Sequence, residues 1–166
     1  LYSDQEPDHH NSRKGLWWSH MGWMFYQVPA MAEVPNLTKD MQKDPYYVWL
    51  EKNFMVPTIV LGTLFYFLGG WSLVGWGIFV RLVVVYHVTW LVNSATHTWG
   101  YRRYQTTDHS MNNWWVGLLA FGEGWHNNHH ANQANAFHGE KWWEVDVTGY
   151  IIRLLSSMNL ITNVKA

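Results

Sequence analysis

Hydrophobic and polar positions divide the 166-residue chain into three stretches. Residues 1–53 alternate polar loops with short Trp- and Met-rich segments, residues 54–92 are almost continuously apolar, and residues 93–166 are polar with brief apolar runs. Within the middle stretch, Phe54–Leu68 offers 15 residues without a charge, Gly69-Gly70 predicts a turn, and Trp71–Val92 adds 22 residues broken only by Arg81, His87 and hydroxyls. Two apolar runs joined by a glycine pair predict a helical hairpin. Later, Ile151, Leu154, Leu155 and Met158 fall on one stripe of a helix predicted over Val147–Leu160, an amphipathic pattern suited to resting on a membrane or on the hairpin. Leu16–Ala32, with Trp17, Trp18, Met21, Trp23, Met24 and Phe25 interrupted by Ser19, His20 and Gln27, predicts a short interfacial helix closed by Pro29. Leu1–Gly15 and Gly100–Asn113 read as loops, Glu33–Glu51 as a connector, and Asn113–Phe121 as an apolar helix.

The apolar hairpin fits either the core of a soluble protein or two membrane spans. Charge placement selects the second. Arg13, Lys14, Lys39, Lys43 and Lys52 precede it, Arg102, Arg103, Lys141, Arg153 and Lys165 follow it, and the turn carries none. A positive excess on both flanks predicts that both are cytoplasmic. Arg81 and His87 then need partners inside the protein, because a charge facing lipid is costly. Arg81 is expected to pair with another helix, and His87 to be an interior, hydrogen-bonded histidine.

The chemistry concentrates in Gly122-Glu123-Gly124-Trp125-His126-Asn127-Asn128-His129-His130. On a helix, His126, His129 and His130 occupy positions i, i+3 and i+4 and share one face. Converging imidazoles are the ligand set of iron and zinc sites. The competing reading is a surface histidine cluster. His97 ends the second apolar run four residues after Asn93, faces the same aqueous side, and becomes a fourth candidate ligand. His109 and His138 stand apart from this cluster, and Asp4, Glu6, Asp8, His9 and His10 form a polar loop more typical of a solvated surface.

Composition narrows the classes. Charged residues make up 14% and the net charge is -1, so there is no electrostatic basis for a nucleic-acid partner. The 13 Trp suit a protein at a membrane interface. With no cysteine, thiolate zinc sites, iron–sulfur clusters and disulfides are excluded.

Two stretches carry a resemblance. Asn93-Ser94-Ala95-Thr96-His97-Thr98-Trp99-Gly100-Tyr101-Arg102 and the His126–His130 box resemble the C-terminal half of the membrane fatty acid desaturases, in the acyl-CoA and acyl-lipid Δ9 subgroup. Asp8-His9-His10-Asn11-Ser12-Arg13-Lys14-Gly15 and Ser19-His20-Met21-Gly22-Trp23 resemble the segment just C-terminal to that family's second histidine box, and Trp142-Trp143-Glu144-Val145-Asp146 is similar to the cyanobacterial acyl-lipid branch. The resemblance implies an all-α integral membrane fold, with four spans and a cytoplasmic cap holding two irons on nine histidines. This chain would form half of it: residues 1–53 cytoplasmic or interfacial, 54–92 a two-span hairpin, and 93–166 the cap. It implies metal ligation by His97, His126, His129 and His130, with Asn93 acting through water. Thr89 and Trp90 match positions where the acyl tunnel bends, and His10 and Asn11 match a motif near the site. His9 stands where relatives commonly have Pro.

The implied reaction is O2-dependent insertion of a cis double bond into an acyl-lipid or acyl-CoA chain, with ferredoxin or cytochrome b5 as external electron donor. These residues contain no HxxxxH box and no other HxxHH box. Five of the family's nine ligands are therefore missing, and the chain is expected to be part of a longer one that alone binds at most one iron weakly. Two rivals stay open: a di-iron lipid hydroxylase or ketolase, and a non-catalytic membrane protein with a histidine-bound metal. A zinc hydrolase lacks its HExxH signature.

Overall fold

The structure, a computed structural model, describes residues 3–6, 8–26 and 38–166. The part of the expected interfacial helix beyond Tyr26, and residues 33–37 of the connector, lie outside the described residues, as do Leu1, Tyr2 and Pro7. Every regular element among the described residues is helical; pairing of extended backbone is confined to two isolated antiparallel bridges, Tyr101 with Asn112 and Asn112 with Trp125. The chain forms two compact units, Leu1–Tyr26 with His87–Ala166, and Gln27–Tyr86.

In the second unit, α2 (Pro45–Lys52) starts where the Asp44 side chain accepts from the Tyr46 amide at 2.8 Å, with Pro at the first helical position. Both features satisfy or remove amides that a helix start leaves unpaired. The long apolar α3 (Met55–Val74) comes next, then a π-helical stretch Gly75–Val80 and α4 (Arg81–Ser94). The stretch Met55–His97 is the one run among the described residues long and apolar enough to cross a membrane. It is not one straight rod. Gly69 and Gly70 leave helical geometry, Gly70 at a φ of 62°, a region that a residue without Cβ enters freely. A Cβ on Gly77 would lie 2.4 Å from the Phe65 ring, and one on Gly62 would lie 3.9 Å from Ile78. Residues 12 and 16 apart on a straight helix would stand about 18 and 24 Å apart, so the segments flanking the glycines lie against each other. Arg81 donates from Nε to the Gly77 carbonyl of its own helical run at 2.9 Å, rather than reaching to a different helix.

The first unit holds α1 (Leu16–His20), the end of α4, and a 3-10 turn Ala95–His97 that carries the chain out of α4. It continues through α5 (Trp114–Leu119), α6 (His126–Ala131) and α7 (Val147–Ser157). Its small apolar core is Ala95, Val116 and Ala120, with Val88, Leu91, Val92 and Trp115 packed against it. Helix α5 is capped by Asn113, whose side chain accepts from the Val116 amide, and α7 by Asp146, which accepts from the Gly149 amide. The apolar helix expected over Asn113–Phe121 ends at Leu119; a turn over Ala120–Gly124 separates it from α6. Tyr150, Ile151 and Leu154 of α7, and Met158 at its C-terminal cap, are exposed.

A candidate metal centre

The box folds as a single short helix, and its starting point is fixed from outside it. The Asn112 side-chain carbonyl accepts from the Asn127 and Asn128 amides at 3.0 and 3.2 Å, doing for α6 what a preceding cap residue does elsewhere. The two asparagines between the ligand positions are buried. Asn127 accepts from the Arg103 and Tyr104 amides at 2.8 and 2.7 Å. Asn128 accepts from Asn112 at 2.7 Å and donates to the His138 carbonyl at 2.8 Å and to Glu144 at 3.1 Å. Beneath the helix, Trp125 is buried and donates from its indole to the Val145 carbonyl. Gly124 lies so close to α5 that a Cβ there would fall 2.0 Å from the Gly117 nitrogen.

Anchored this way, α6 turns His126 and His130 toward His97. One nitrogen from each of the three lies within 4.8 Å of the others. Ring centroids are 5.0 Å apart for His97 and His126, 5.4 Å for His97 and His130, and 4.3 Å for His126 and His130. His129 faces elsewhere: its nearest ring is His138 at 4.5 Å, while His126 is 6.0 Å away. The single stripe expected from the spacing is thus split two to one, and His138, expected to stand apart, is the neighbour of the odd one.

Two aspartates complete the triad. Asp4 accepts from His97 Nδ1, from the Ser12 amide and hydroxyl, and from the His109 amide at 2.8 Å. Asp108 accepts from His130 Nδ1, the Ser110 amide and hydroxyl, and the Thr106 hydroxyl. Burial alone would raise both carboxyls. For Asp4 the hydrogen bonds from His97 and Ser12 outweigh it, and for Asp108 those from Ser110 and His130, so both carboxyls are held well below the usual carboxylate range. An ionised carboxylate only accepts, so each Nδ1 carries the proton, which leaves Nε2 of the neutral imidazole as the atom with a lone pair. Asp4 sits at a φ of 57°, a left-handed conformation that aspartate tolerates better than most residues.

The donor set fits a metal ion. Both ring nitrogens of His126 and Nδ1 of His129 are buried without a hydrogen-bond partner, an expense natural structures rarely carry without an ion or catalytic role to explain it. Desolvation, followed by the charges of His130, His97 and His129, pushes His126 well below its ordinary value. Desolvation, then His138 and His130, lowers His129 to about 4. Neutral imidazoles in a buried pocket, oriented by carboxylates from behind, form a metal-binding arrangement, and all-imidazole sites suit zinc, copper, iron or nickel.

Other predicted residues lie outside the triad. Asn93 is exposed, four residues before His97; Thr89 is exposed and Trp90 half-buried on α4. His10 packs against Trp23 with ring centroids 4.2 Å apart and planes tilted by 59°, and pairs with Asp8. Asn11 is buried and caps the turn Ser12–Lys14. Glu123, just before the box, reaches His138 at 3.5 Å. His109, expected to stand apart from the cluster, gives its amide to Asp4 and its Nε2 to an interaction with Arg13 at 3.3 Å. Sequence reasoning missed Asp108, Asn112, Asn127, Asn128 and the Arg103–Glu144 pair. For the asparagines the available signal was their position between ligands; for Asp108, its place in a Thr-, Ser- and Asp-rich turn.

The Arg103–Glu144 pair locks the back of the site. Glu144 is 1% exposed. It accepts from Arg103 through both oxygens, from Tyr101, from Asn128, and from the Glu140 and Lys141 amides. Burial would raise its carboxyl; the Tyr101 hydroxyl, the Glu140 amide and Arg103 lower it overall.

A family model described as fatty acid desaturase matches residues 2–139. The chain is 58% identical to the sn-1 stearoyl-lipid 9-desaturase of Anabaena variabilis, over 99% of the chain and 61% of that protein. It is 53% identical to the protein of the same name from a Synechocystis species, over 99% of the chain and 52% of that protein. It is 45% identical to the chloroplastic palmitoyl-monogalactosyldiacylglycerol delta-7 desaturase of Arabidopsis thaliana, over 99% of the chain and 45% of that protein. The chain thus spans about half the length of the curated relatives it matches.

Proposed function

The chain belongs to the fatty acid desaturase family, and on that premise we propose that it supplies the second half of an O2-dependent acyl desaturase that places a cis double bond, at the Δ9 position, in a saturated acyl chain of a membrane lipid. The observation that carries this reading is the convergence of His97, His126 and His130, two of them gripped at Nδ1 by Asp4 and Asp108.

A methylene C–H offers neither an acidic proton nor an electrophile, so acid–base groups alone cannot remove it. Iron bound at the site would supply the oxygen chemistry: each of two neighbouring carbons loses one hydrogen, and two electrons and two protons from outside balance the conversion of O2 to two waters. His97, His126 and His130 would hold one iron through their free nitrogens, and His129 would serve a second, with Asn93 reaching a metal through water. The protein's own part is to fix these imidazoles, exclude water around buried His126, and present the acyl chain past Thr89 and Trp90. His10 and Asn11 would support the same site from the neighbouring loop. The segments flanking Gly69–Gly70 would form a two-span hairpin with both flanks cytoplasmic. The chain carries no flavin, haem or iron–sulfur motif, so electrons would come from ferredoxin or cytochrome b5. The relatives named for acyl-lipid substrates favour a lipid-linked acyl chain over acyl-CoA.

The test is expression from the full coding sequence in a host lacking Δ9 desaturation, with gas chromatography of its lipids. A new cis-Δ9 chain that disappears in His126→Ala is the expected result. Hydroxylated or keto lipids would assign the oxygen-inserting rival, and purified protein holding zinc with unchanged lipids would make the cluster structural.

A further inference from the structure

On α4 the side chains of residues 87, 90 and 94 succeed one another along one face, and the same line runs on to His97 of the triad. A single residue from the opposite end of the sequence, His20 of α1, lies across this face. Its Nε2 is 3.0 Å from His87 Nδ1, and its Nδ1 is 2.9 Å from Ser94 Oγ. Ser94 is fully buried and donates from Oγ to the Trp90 carbonyl at 2.8 Å.

The direction of these bonds is set by the last one. Because the Ser94 hydroxyl donates its proton to Trp90, Ser94 Oγ accepts from His20 Nδ1–H. Neutral His20 then has only an acceptor at Nε2, and His87 Nδ1–H donates to it. The chain therefore runs His87 to His20 to Ser94 and ends on the backbone of Trp90. The same two imidazoles hold the Trp90 ring as well: His20 lies edge-on at 5.7 Å with the planes at 88°, and His87 at 5.0 Å with the planes at 72°. Backbone and indole of one residue are clamped by one polar network, although His20 and Trp90 are 70 residues apart.

We propose that His20 and His87 are positioning residues that lock the Trp90 indole, and thereby set which carbon pair of a bound acyl chain is presented to the His97–His126–His130 triad. This rests on the proposed function, in which Trp90 contacts the acyl chain. Trp90 lies seven residues before His97, about 10 Å along the helix axis, at the end of the apolar run nearest the triad. A change of rotamer swings a side chain through about 120°. An indole free to do so offers the chain a different wall, and the register of the chain against the triad shifts with it.

The experiment uses protein made from the full coding sequence and labelled with 5-fluorotryptophan, in which Trp90→Phe identifies the Trp90 fluorine line. His87→Leu removes the donor at the head of the network, His87→Asn restores one, and Ser94→Ala opens the network's other end with little change in volume should His87→Leu not fold. His87→Leu and Ser94→Ala are expected to shift and broaden the Trp90 line. In lipids from expressing cells they are expected to raise the share of double bonds at positions other than the main one by about two- to tenfold, the range set by the worth of edge-on ring contacts. His87→Asn is expected to return both readings toward the parent. A Trp90 line that stays put overturns the clamp. A line that moves while the double-bond positions stay those of the parent overturns the role in specificity. If the parent itself forms no unsaturated lipid while its Trp90 line responds to the variants, the desaturase reading falls, the specificity role falls with it, and the clamp stands.

Discussion

His97 gives its Nδ1 proton to Asp4, 93 residues away in sequence, and His130 makes the matching bond to Asp108. Both imidazoles are thereby fixed with Nε2 facing the same point, while His126 stands between them with neither nitrogen hydrogen-bonded.

Removing one of these carboxylates should weaken the metal more than the fold. Asp108→Ala is expected to lower affinity for Fe(II) or Co(II) about 10- to 100-fold. Asp108→Asn, which keeps an acceptor for His130, should lose less. Titration of the purified protein with Co(II), monitored by its visible absorption, reads this directly; unchanged affinity in Asp108→Ala would separate the aspartate from the site.

Glu144 makes the opposite case, in which the fold suffers first. Glu144→Ala breaks the buried pair with Arg103, which keeps as carboxylate partner only the more exposed Glu140, and takes from Tyr101 its acceptor and from Asn128 one of two. Loss of one partner of a buried ion pair costs about 3–5 kcal/mol. Chemical denaturation in detergent should show a loss of that order, with Glu144→Gln intermediate; a loss under about 1 kcal/mol, the worth of an exposed pair, would refute the buried assignment.

Gly124→Ala tests the seat of the box helix. Its new Cβ would fall 2.0 Å from the Gly117 nitrogen and 2.5 Å from the Asn113 carbonyl oxygen, both backbone atoms that cannot step aside. Overpacking of this kind costs about 1–3 kcal/mol or more. Because the clash lies at the foot of α6, the expected signature is loss of stability together with loss of Co(II) binding.

In metal-free protein, stability should fall as pH drops from about 6.5 to about 4. His129 titrates near 4 in the folded state and His126 well below its ordinary value, whereas unfolded histidine titrates near 6.5. The unfolded chain therefore binds more protons across that window, and acid favours it. The lowered carboxyls of Asp4, Asp108 and Glu144 contribute stability that is present above the usual carboxylate range and is lost only at still lower pH. Thermal unfolding of chelator-treated protein against pH checks this, and a flat profile between pH 6.5 and 4 would contradict it.

What the sequence determined by itself was local. The spacing of His126, His129 and His130 placed them on one short helix because a helix repeats every 3.6 residues. The helices starting after Asn113 and Asp146 were legible from their apolar patterns, whereas α2, inside the stretch read as a connector, was not. The glycine pair at 69–70 marked where helical backbone breaks because only glycine enters that geometry freely. The tertiary structure alone decided which imidazoles meet. It set His97 with His126 and His130 and turned His129 toward His138, since ring orientation on α6 depends on Asn112, Asn127 and Asn128 bonding to segments elsewhere in the chain. It also turned Asp4 from a residue of an apparently solvated loop into the buried partner of His97. Side chains 93 residues apart share no periodicity, so their pairing exists only once the folded backbone brings them within hydrogen-bonding distance.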